Sequence, residues 1–411
     1  MVKGKFSLAL HWQILIMLLL GGLFGYFFPN LTRYTNWMGE IFLRALNMII
    51  VPLIFCSIST GVANVGTAEN LGRLGLKTMG YYLFSTFVAI VTGFFLVQLI
   101  KPGIGADLGL QVPLEDIAVG RESFGQTLIN IVPSNIIKAM AEGYMLSIIF
   151  FAILVGFFTT RVGEKSRLLI VDVLNAILDV IMKITMFIIR FTPLGVFSII
   201  AKVISQQINI GNDVSEIIGS MGIYFLTVLA GLLIHGFVTL PLMLKFIGRV
   251  KPFKHLKNMS TVILTAFSTS SSNATLPLTM ETVETKSGVS NKIASFTLPL
   301  GATINMNGTA LYECVAVMFI AQAYGIDLTI GQQLIVVFTA LLAAIGSAGI
   351  PMAGLVMMAV VLNAVGLPLE GIGLILAVDR ILDMFRTTIN VYGDTCGAVI
   401  IAKSEGEELY V

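Results

Sequence analysis

The stretch AVDRILDMFRTTINVYGD (377–394) sets Asp379, Asp383, Arg386, Thr387, Asn390 and Asp394 inside a chain that is otherwise strongly apolar. At about 100° per residue on an α-helix, these side chains fall within a stripe roughly 100° wide. One polar face therefore runs down an apolar helix. Ionisable groups at membrane depth cost roughly 3 kcal/mol or more each unless paired or hydrated, so such a face marks a substrate or ion pathway.

The rest of the chain fixes the setting. Its 411 residues are 56% hydrophobic and 12% charged, with a mean hydropathy of +0.92. That leaves too little charged surface to cover a soluble globule of this size, so the chain reads as an all-α polytopic membrane protein. The net charge of +2 sits in short loops and gives no basic patch, which excludes a nucleic-acid partner. Cys56, Cys314 and Cys396 lie in apolar segments without CxxC spacing, so neither a disulfide framework nor a metal-thiolate site is indicated. The run 14–28 has no small-residue cleavage site and reads as a retained first helix.

Apolar runs long enough to cross about 30 Å of hydrocarbon lie near 11–28, 40–63, 78–100, 124–160, 168–191 and 215–245. Lys3 and Lys5, then Arg73 and Lys77, then Arg161, Lys165 and Arg167, then Lys245, Arg249, Lys251, Lys254 and Lys257 fall on one side of these spans. The acidic loop 101–123 falls on the other. The positive-inside rule then places both termini in the cytoplasm, in a multi-pass protein of the plasma or inner membrane.

Beyond residue 257 the apolar runs shorten. MSTVILTAF (259–267) meets STSSSNATLP (268–277), and LIVVFTALLAAIG (334–346) meets SAGIPMAG (347–354) before LVMMAVVLNAVG (355–366). Arms of about a dozen residues reach roughly 18 Å, too short to span, and predict two re-entrant hairpins. Each precedes a helix with a polar interruption, NMNGT (305–309) and the stripe itself. Broken helices of this kind mark the binding site of secondary transporters, and irregular backbone at that depth must line a cavity or be buried in protein. The sequons at Asn273 and Asn307 lie in the proposed membrane core and read as chance.

SSSNATLP, LPLGATINMNGTALYE (298–313), IGSAGIPMAG (345–354), DRILDMFRTTINVYGD (379–394) and YYLFST (81–86) together resemble the signature segments of the dicarboxylate/amino acid:cation symporters, the glutamate transporter family. The resemblance covers essentially the whole chain. It implies an elevator fold of eight transmembrane helices plus two re-entrant hairpins, assembled as a homotrimer. By this resemblance, helices 1–2 (1–77) and 4–5 (124–214) are scaffold. Helix 3 with its outer loop (78–123) and everything from helix 6 onward (215–411) form the transport domain, with hairpin two, 332–366, as the extracellular gate.

An acidic amino acid carries two carboxylates and one ammonium. Arg386 offers a planar fork for the side-chain carboxylate, and Asp383 can receive the ammonium. Backbone N–H groups near Ser270 and Ser272, with Asn390, can hold the α-carboxylate. The resemblance adds Thr309, Thr387, Ile350 and Gly354. A plain dicarboxylate would leave Asp383 unpaired in low dielectric, which favours an amino acid.

Asp394 lies two turns from either arginine of its helix and needs a cation from elsewhere. Oxygen-only surroundings suit a hard ion such as Na⁺. The resemblance implies one Na⁺ on Asp394, Asn305 and the backbones of Gly301 and Asn390. It implies a second on the backbones of Thr303, Ala344, Ile345 and Ser347 near Met306. A third would use Tyr82, Ser85, Thr86 and Asn305, but Asn307 stands where the family motif has an aspartate, which weakens that site. Glu313 matches a position linked in some relatives to H⁺ cotransport and K⁺ counter-transport, against the plainer reading of a hydrogen-bonded buried carboxyl. Arg380 departs from the family pattern and reads as a local pair near the membrane edge.

Within the family, an H⁺-coupled, neutral amino acid or C4-dicarboxylate transporter stays open, as does the choice between aspartate and glutamate. Outside it stand an ion channel and an intramembrane enzyme using Ser271 or Ser272. The enzyme reading lacks a base, since His11, His235 and His255 are remote in sequence and His11 and His255 sit at loop ends. No cofactor is expected beyond the coupling ions.

Overall fold

The computed structural model describes residues 10–65, 72–105, 129–210, 214–346 and 353–411. All its regular elements among these are helical. In chain order they are α1 (Leu10–Phe27), α2 (Asn36–Val65), α3 (Gly72–Ile100), α4 (Ile136–Glu142), α5 (Met145–Thr159), α6 (Glu164–Ile189), α7 (Thr192–Ile210) and α8 (Val214–Ile234). A π-helical turn at His235–Thr239 joins α8 to α9 (Leu240–Phe246), and α10 (Pro252–Asn258) follows. Then come α11 (Ser260–Thr269), α12 (Ser272–Thr282), α13 (Asn291–Ile304), α14 (Asn307–Ala323), α15 (Ile330–Gly346), α16 (Ala353–Ala364) and α17 (Ile372–Ser404). Four stretches, Asn36–Ala63, Arg73–Ile100, Gly219–Phe246 and Asn291–Ala323, are long and apolar enough to cross a bilayer unaided.

Paired short helices pack on each other where the sequence predicts hairpins, α11 with α12 and α15 with α16; the tip of the second pair lies outside the described residues. The first arm of hairpin two is longer than expected, 17 residues, which at about 1.5 Å per residue still falls short of a span. NMNGT becomes a true break. Asn305 and Met306 leave helical geometry (ψ 67° and 56°) between α13 and α14.

Two spans differ from expectation. The run 124–160 is not one helix, because Gly143 takes a left-handed conformation (φ 72°) and ends α4 before α5 begins; only glycine enters that region without steric cost. The run 168–191 is followed by α7, a helix the hydropathy reading passed over because Ser198, Lys202, Ser205 and Gln206 dilute its apolar character. Pro193 lies in the first turn of α7, the position where a helix accommodates proline without losing a backbone hydrogen bond.

Helices α1, α2, α5, α6 and α7 pack on one another, while α3, α8 and α11 to α17 pack around the broken helix and α17. Arms α15 and α16 of hairpin two lean on α2, and α16 also touches α5, whereas α11 and α12 of hairpin one pack on α13 and α17. A largely apolar cavity of about 700 Å³ separates α2 and α5 from α3 and α15, with Arg161 at one end.

Close approach in the first group depends on glycine. A Cβ on Gly21 or Gly25 would stand 2.5 Å from the carbonyl oxygens of Phe197 and Ala201 on α7, whereas one on Gly22 would meet nothing within 4 Å. This is the small-xxx-small mode of membrane helix packing. Gly25→Leu is therefore expected to destabilise the fold by about 1–3 kcal/mol while Gly22→Leu leaves it unchanged. Thermal melts of the two variants in detergent, where equal melting points would contradict the packing, check this.

Candidate functional site

The polar stripe of α17 points into protein. Asp379, Asp383, Arg386, Thr387, Asn390 and Asp394 are all buried, none more than 6% exposed. Two clusters form along it, one around Arg386 and one around Asp394.

Arg386 Nη2 contacts Asp383 Oδ1 at 2.9 Å and Asp379 Oδ1 at 3.0 Å. Its guanidinium carbon lies 3.8 Å from the centre of the Tyr312 ring, a cation–π contact strengthened by desolvation. Tyr312 also donates its hydroxyl proton to Asp379 Oδ1 at 2.7 Å. Arg380 Nη1 takes the other oxygen of Asp383 at 3.2 Å, and is itself 24% exposed, the local edge pair expected from its sequence neighbours. Arg386 Nε and Nη1 and Asp379 Oδ2 are buried with no hydrogen-bond partner among the described residues. A buried donor left unmade costs about 1–3 kcal/mol, and a carboxylate is a group whose two oxygens match such a fork.

Arg386 also reaches hairpin two. A Cβ on Gly354, at the start of α16, would collide with its Nη1, which explains the need for glycine there. Ile350, the neighbouring expected contact, lies outside the described residues, as does Ser347. On hairpin one, Ser270 adopts a left-handed conformation (φ 49°) at the end of α11 and its buried Oγ has no partner. Ser271 caps α12 through the N–H of Ala274 at 3.2 Å, and Ser272 is buried. Phe267 holds this arm to α17 by an edge contact with Phe385 at 5.2 Å.

Asn390 organises the break. Its Oδ1 accepts from the Gly308 N–H at 2.7 Å, one of the orphan donors at the start of α14. Its Nδ2 donates to Thr309 Oγ1 at 3.1 Å and approaches Met306 Sδ at 3.2 Å.

Asp394 makes no ion pair among the described residues; its Oδ1 accepts from Asn305 Nδ2 at 2.9 Å. Asn305 Oδ1 accepts from Ser85 Oγ at 3.1 Å, and Asn307 Oδ1 from Thr86 Oγ1 at 2.7 Å and Ser85 Oγ at 3.3 Å. A Cβ on Gly301 would lie 2.5 Å from Asp394 Oδ1 and 2.7 Å from the Tyr82 hydroxyl. Tyr82 in turn donates to Thr297 O at 2.7 Å. The first and third sets of cation ligands thus converge on one cradle rich in oxygen, a donor set that fits Na⁺. Among the described residues no group of three or more His, Cys, Asp or Glu gathers as a transition-metal site would need.

The second set is only partly described. Ile304 and Ile345 line the same cavity, Ala344 and Met306 are buried, and the Thr303 side chain is exposed, consistent with a role for its backbone alone.

Glu313, one residue beyond Tyr312, is fully buried and neither carboxyl oxygen has a partner. Among the described residues no side chain or backbone group offers it the hydrogen bond of the plainer reading. A carboxylate ion left so isolated costs far more than a neutral acid.

Sequence reading placed Asp379 in the polar stripe without naming its partners and gave no role to Tyr312, although Tyr312 lies one turn beyond Thr309 on the same face of α14. It also misplaced His255, which is fully buried against α17 and not exposed at a loop end.

The model of the sodium:dicarboxylate symporter family matches residues 10–404. The chain is 37% identical over 427 residues to mouse "Excitatory amino acid transporter 3", covering 92% of this chain and 80% of that protein. It is 36% identical over 419 residues to the "Proton/glutamate-aspartate symporter" of Escherichia coli strain K12, covering 98% and 93%. The "Proton/sodium-glutamate symport protein" of Geobacillus stearothermophilus is 35% identical over 412 residues, covering 98% and 96%. A broken helix facing a buried arginine, two short hairpins and a match from end to end make this chain a member of the sodium:dicarboxylate symporter family, a membrane transporter and not an enzyme.

Proposed function

We propose that this chain carries an acidic amino acid, L-aspartate or L-glutamate, into the cell with Na⁺, and that H⁺ is a second coupling ion. The observation that carries the substrate class is Arg386, buried between two carboxylates with two N–H donors unmet among the described residues. An incoming side-chain carboxylate satisfies the fork bidentately, and the substrate ammonium then takes the place of Arg386 beside Asp383. The bacterial relatives named for glutamate or aspartate agree with this chemistry.

Na⁺ belongs at Asp394, whose charge no basic side chain offsets, with Asn305, Gly301 and Asn390. Tyr82, Ser85, Thr86 and Asn307, on the far side of the same cradle, hold a second cation more weakly, because an amide dipole replaces a full charge. Thr303, Ala344, Ile345, Ser347 and Met306 supply the cation site that lets hairpin two close. Glu313 carries the proton, and K⁺ replaces it on the return step.

Movement follows an elevator scheme, with α1, α2 and α4 to α7 as scaffold and the remaining helices as the moving body. Hairpin two rests on α2 and α5 while hairpin one has its packing within its own group, as suits a carrier whose site has moved toward the cytoplasm. Assembly of copies is supported by α6. Asp172, Asp179, Lys183 and Arg190 fall within about 40° of one another on this helix, are exposed, and form no ion pair among the described residues. Exposed Val173, Ile177, Val180, Ile184 and Phe187 flank them. A charged stripe of mixed sign cannot face lipid; neighbouring copies in a homotrimer cover it. Positive loop charge places both termini in the cytoplasm.

Uptake of labelled aspartate and glutamate into liposomes under separate Na⁺, H⁺ and K⁺ gradients tests this reading. Arg386→Cys is expected to lower acidic amino acid uptake at least 100-fold while admitting neutral amino acids; unchanged aspartate uptake would discard the substrate assignment. Glu313→Gln is expected to keep Na⁺-driven uptake but lose acceleration by an inward H⁺ gradient. A variant that still responds to the pH gradient would remove Glu313 from the proton path.

A further inference from the structure

The linker helix α10 carries a residue that neither substrate nor cation chemistry has used. His255 is fully buried, as are Ser287 at the end of hairpin one and Thr395 on α17. Its Nδ1 lies 3.1 Å from Ser287 Oγ and its Nε2 3.0 Å from Thr395 Oγ1. The ring also stacks on Tyr392, with centroids 6.0 Å apart and planes 25° from parallel.

The direction of these bonds is determined. Thr395 Oγ1 already donates its proton to Tyr392 O at 2.8 Å, so it can only accept from the imidazole. Nε2 therefore bears the proton, and Nδ1 accepts from the Ser287 hydroxyl. Burial lowers the pKa of His255 from its ordinary value to about 3, so this neutral tautomer persists at physiological pH. The chain of donors runs one way, from Ser287 through His255 and Thr395 to the backbone of α17.

Thr395 is the residue after Asp394, and Ser287 terminates the hairpin whose tip bears Ser270 and Ser272. The far side of Ser287 is held as well. Its carbonyl accepts from the Tyr410 N–H at 3.0 Å, and Glu407 accepts from the Ser290 N–H at 2.9 Å. Hairpin one is thus fixed at its base to α17 at the level of the proposed cation site, and His255 is the side chain that spans the gap.

We propose that His255 is a positioning residue: by clamping hairpin one to the Asp394 turn of α17, it sets the orientation of the Asp394 carboxylate and hence the affinity for the coupling cation. This rests on reading Asp394 as a Na⁺ ligand. His255 touches neither substrate nor ion. Its loss changes how much Na⁺ is needed, not how fast the loaded carrier turns over.

The test is the Na⁺ activation curve of labelled aspartate uptake by the full chain in liposomes. The variants are His255→Phe, Thr395→Val, Thr395→Ser and the double variant His255→Phe/Thr395→Val. Removing one oriented hydrogen bond is expected to raise the half-saturating Na⁺ concentration about fivefold in each of the first two, with maximal velocity within about twofold of the wild type. The double variant is expected to be no worse than either single one, and Thr395→Ser, which keeps the acceptor, is expected to match the wild type. If His255→Phe fails to fold, the Val and Ser variants at Thr395 decide the matter alone, since they differ in the hydroxyl. Unchanged Na⁺ dependence in Thr395→Val, or equal impairment in Thr395→Ser, would overturn the assignment. A wild type whose uptake ignores Na⁺ would overturn the coupling reading itself and this inference with it.

Discussion

The rest of the structure depends on the neutralisation of Arg386. A guanidinium 1% exposed can sit in the core only because Asp379, Asp383 and the Tyr312 ring surround it. Removing one partner from such a group typically costs 3–5 kcal/mol, because it strands a buried charge. That penalty fixes the rotation of α17 about its axis and, with it, the direction in which Asn390 and Asp394 point. The same cluster is incompletely satisfied, with two donors of Arg386 and one oxygen of Asp379 left over. Among the described residues the arrangement is thus less stable than it could be, and in the proposed function a ligand carboxylate is the group that completes it.

The broken helix and the hairpins follow from a second constraint, that backbone groups at membrane depth must be used. At the break, Asn390 satisfies the Gly308 N–H, so one side chain of α17 both mends a helix end and faces the substrate region. At hairpin one, Ser271 caps α12 and the left-handed Ser270 turns the chain back before it has crossed. Short arms therefore place helix ends, with their orphan donors and acceptors, beside the one helix that carries full charges. Lys77 and Arg73 pair with Glu405 just past α17, and the hydrogen bond from Lys77 holds the Glu405 carboxyl below the usual carboxylate range.

Features that reside in local sequence are legible from the residues alone. The polar stripe, the NMNGT break and the hairpin tips stand out because a polar residue inside an apolar run is costly unless it binds, pairs or packs. What stayed hidden required a partner distant in sequence. Tyr312 becomes a cation–π platform only when α14 meets α17, and His255 becomes a clamp only when Ser287 and Thr395 arrive from hairpin one and α17. Helix α7 escaped notice because its polar residues face the turn after α1, where Ser205 and Ser198 bond the backbone of Pro29 and Thr35. A hydropathy window averages over that pattern and sees neither face.

Charge counting links the two clusters. The fully buried acids are Glu313, Asp379, Asp383 and Asp394, against buried Arg386 and the edge residue Arg380. With all acids ionised the set carries two net negative charges, and an acidic amino acid brings one more. Low dielectric makes such an excess very unfavourable, so the proposed function would require about three monovalent cations to accompany a loaded carrier. An aspartate at position 307 would raise that number; Asn307 holds it down while leaving an oxygen to Ser85 and Thr86. Glu313, without a hydrogen-bond partner among the described residues, is the acid to which the proposed function gives the proton, with Na⁺ at the oxygen cradle of Asp394 and at hairpin two.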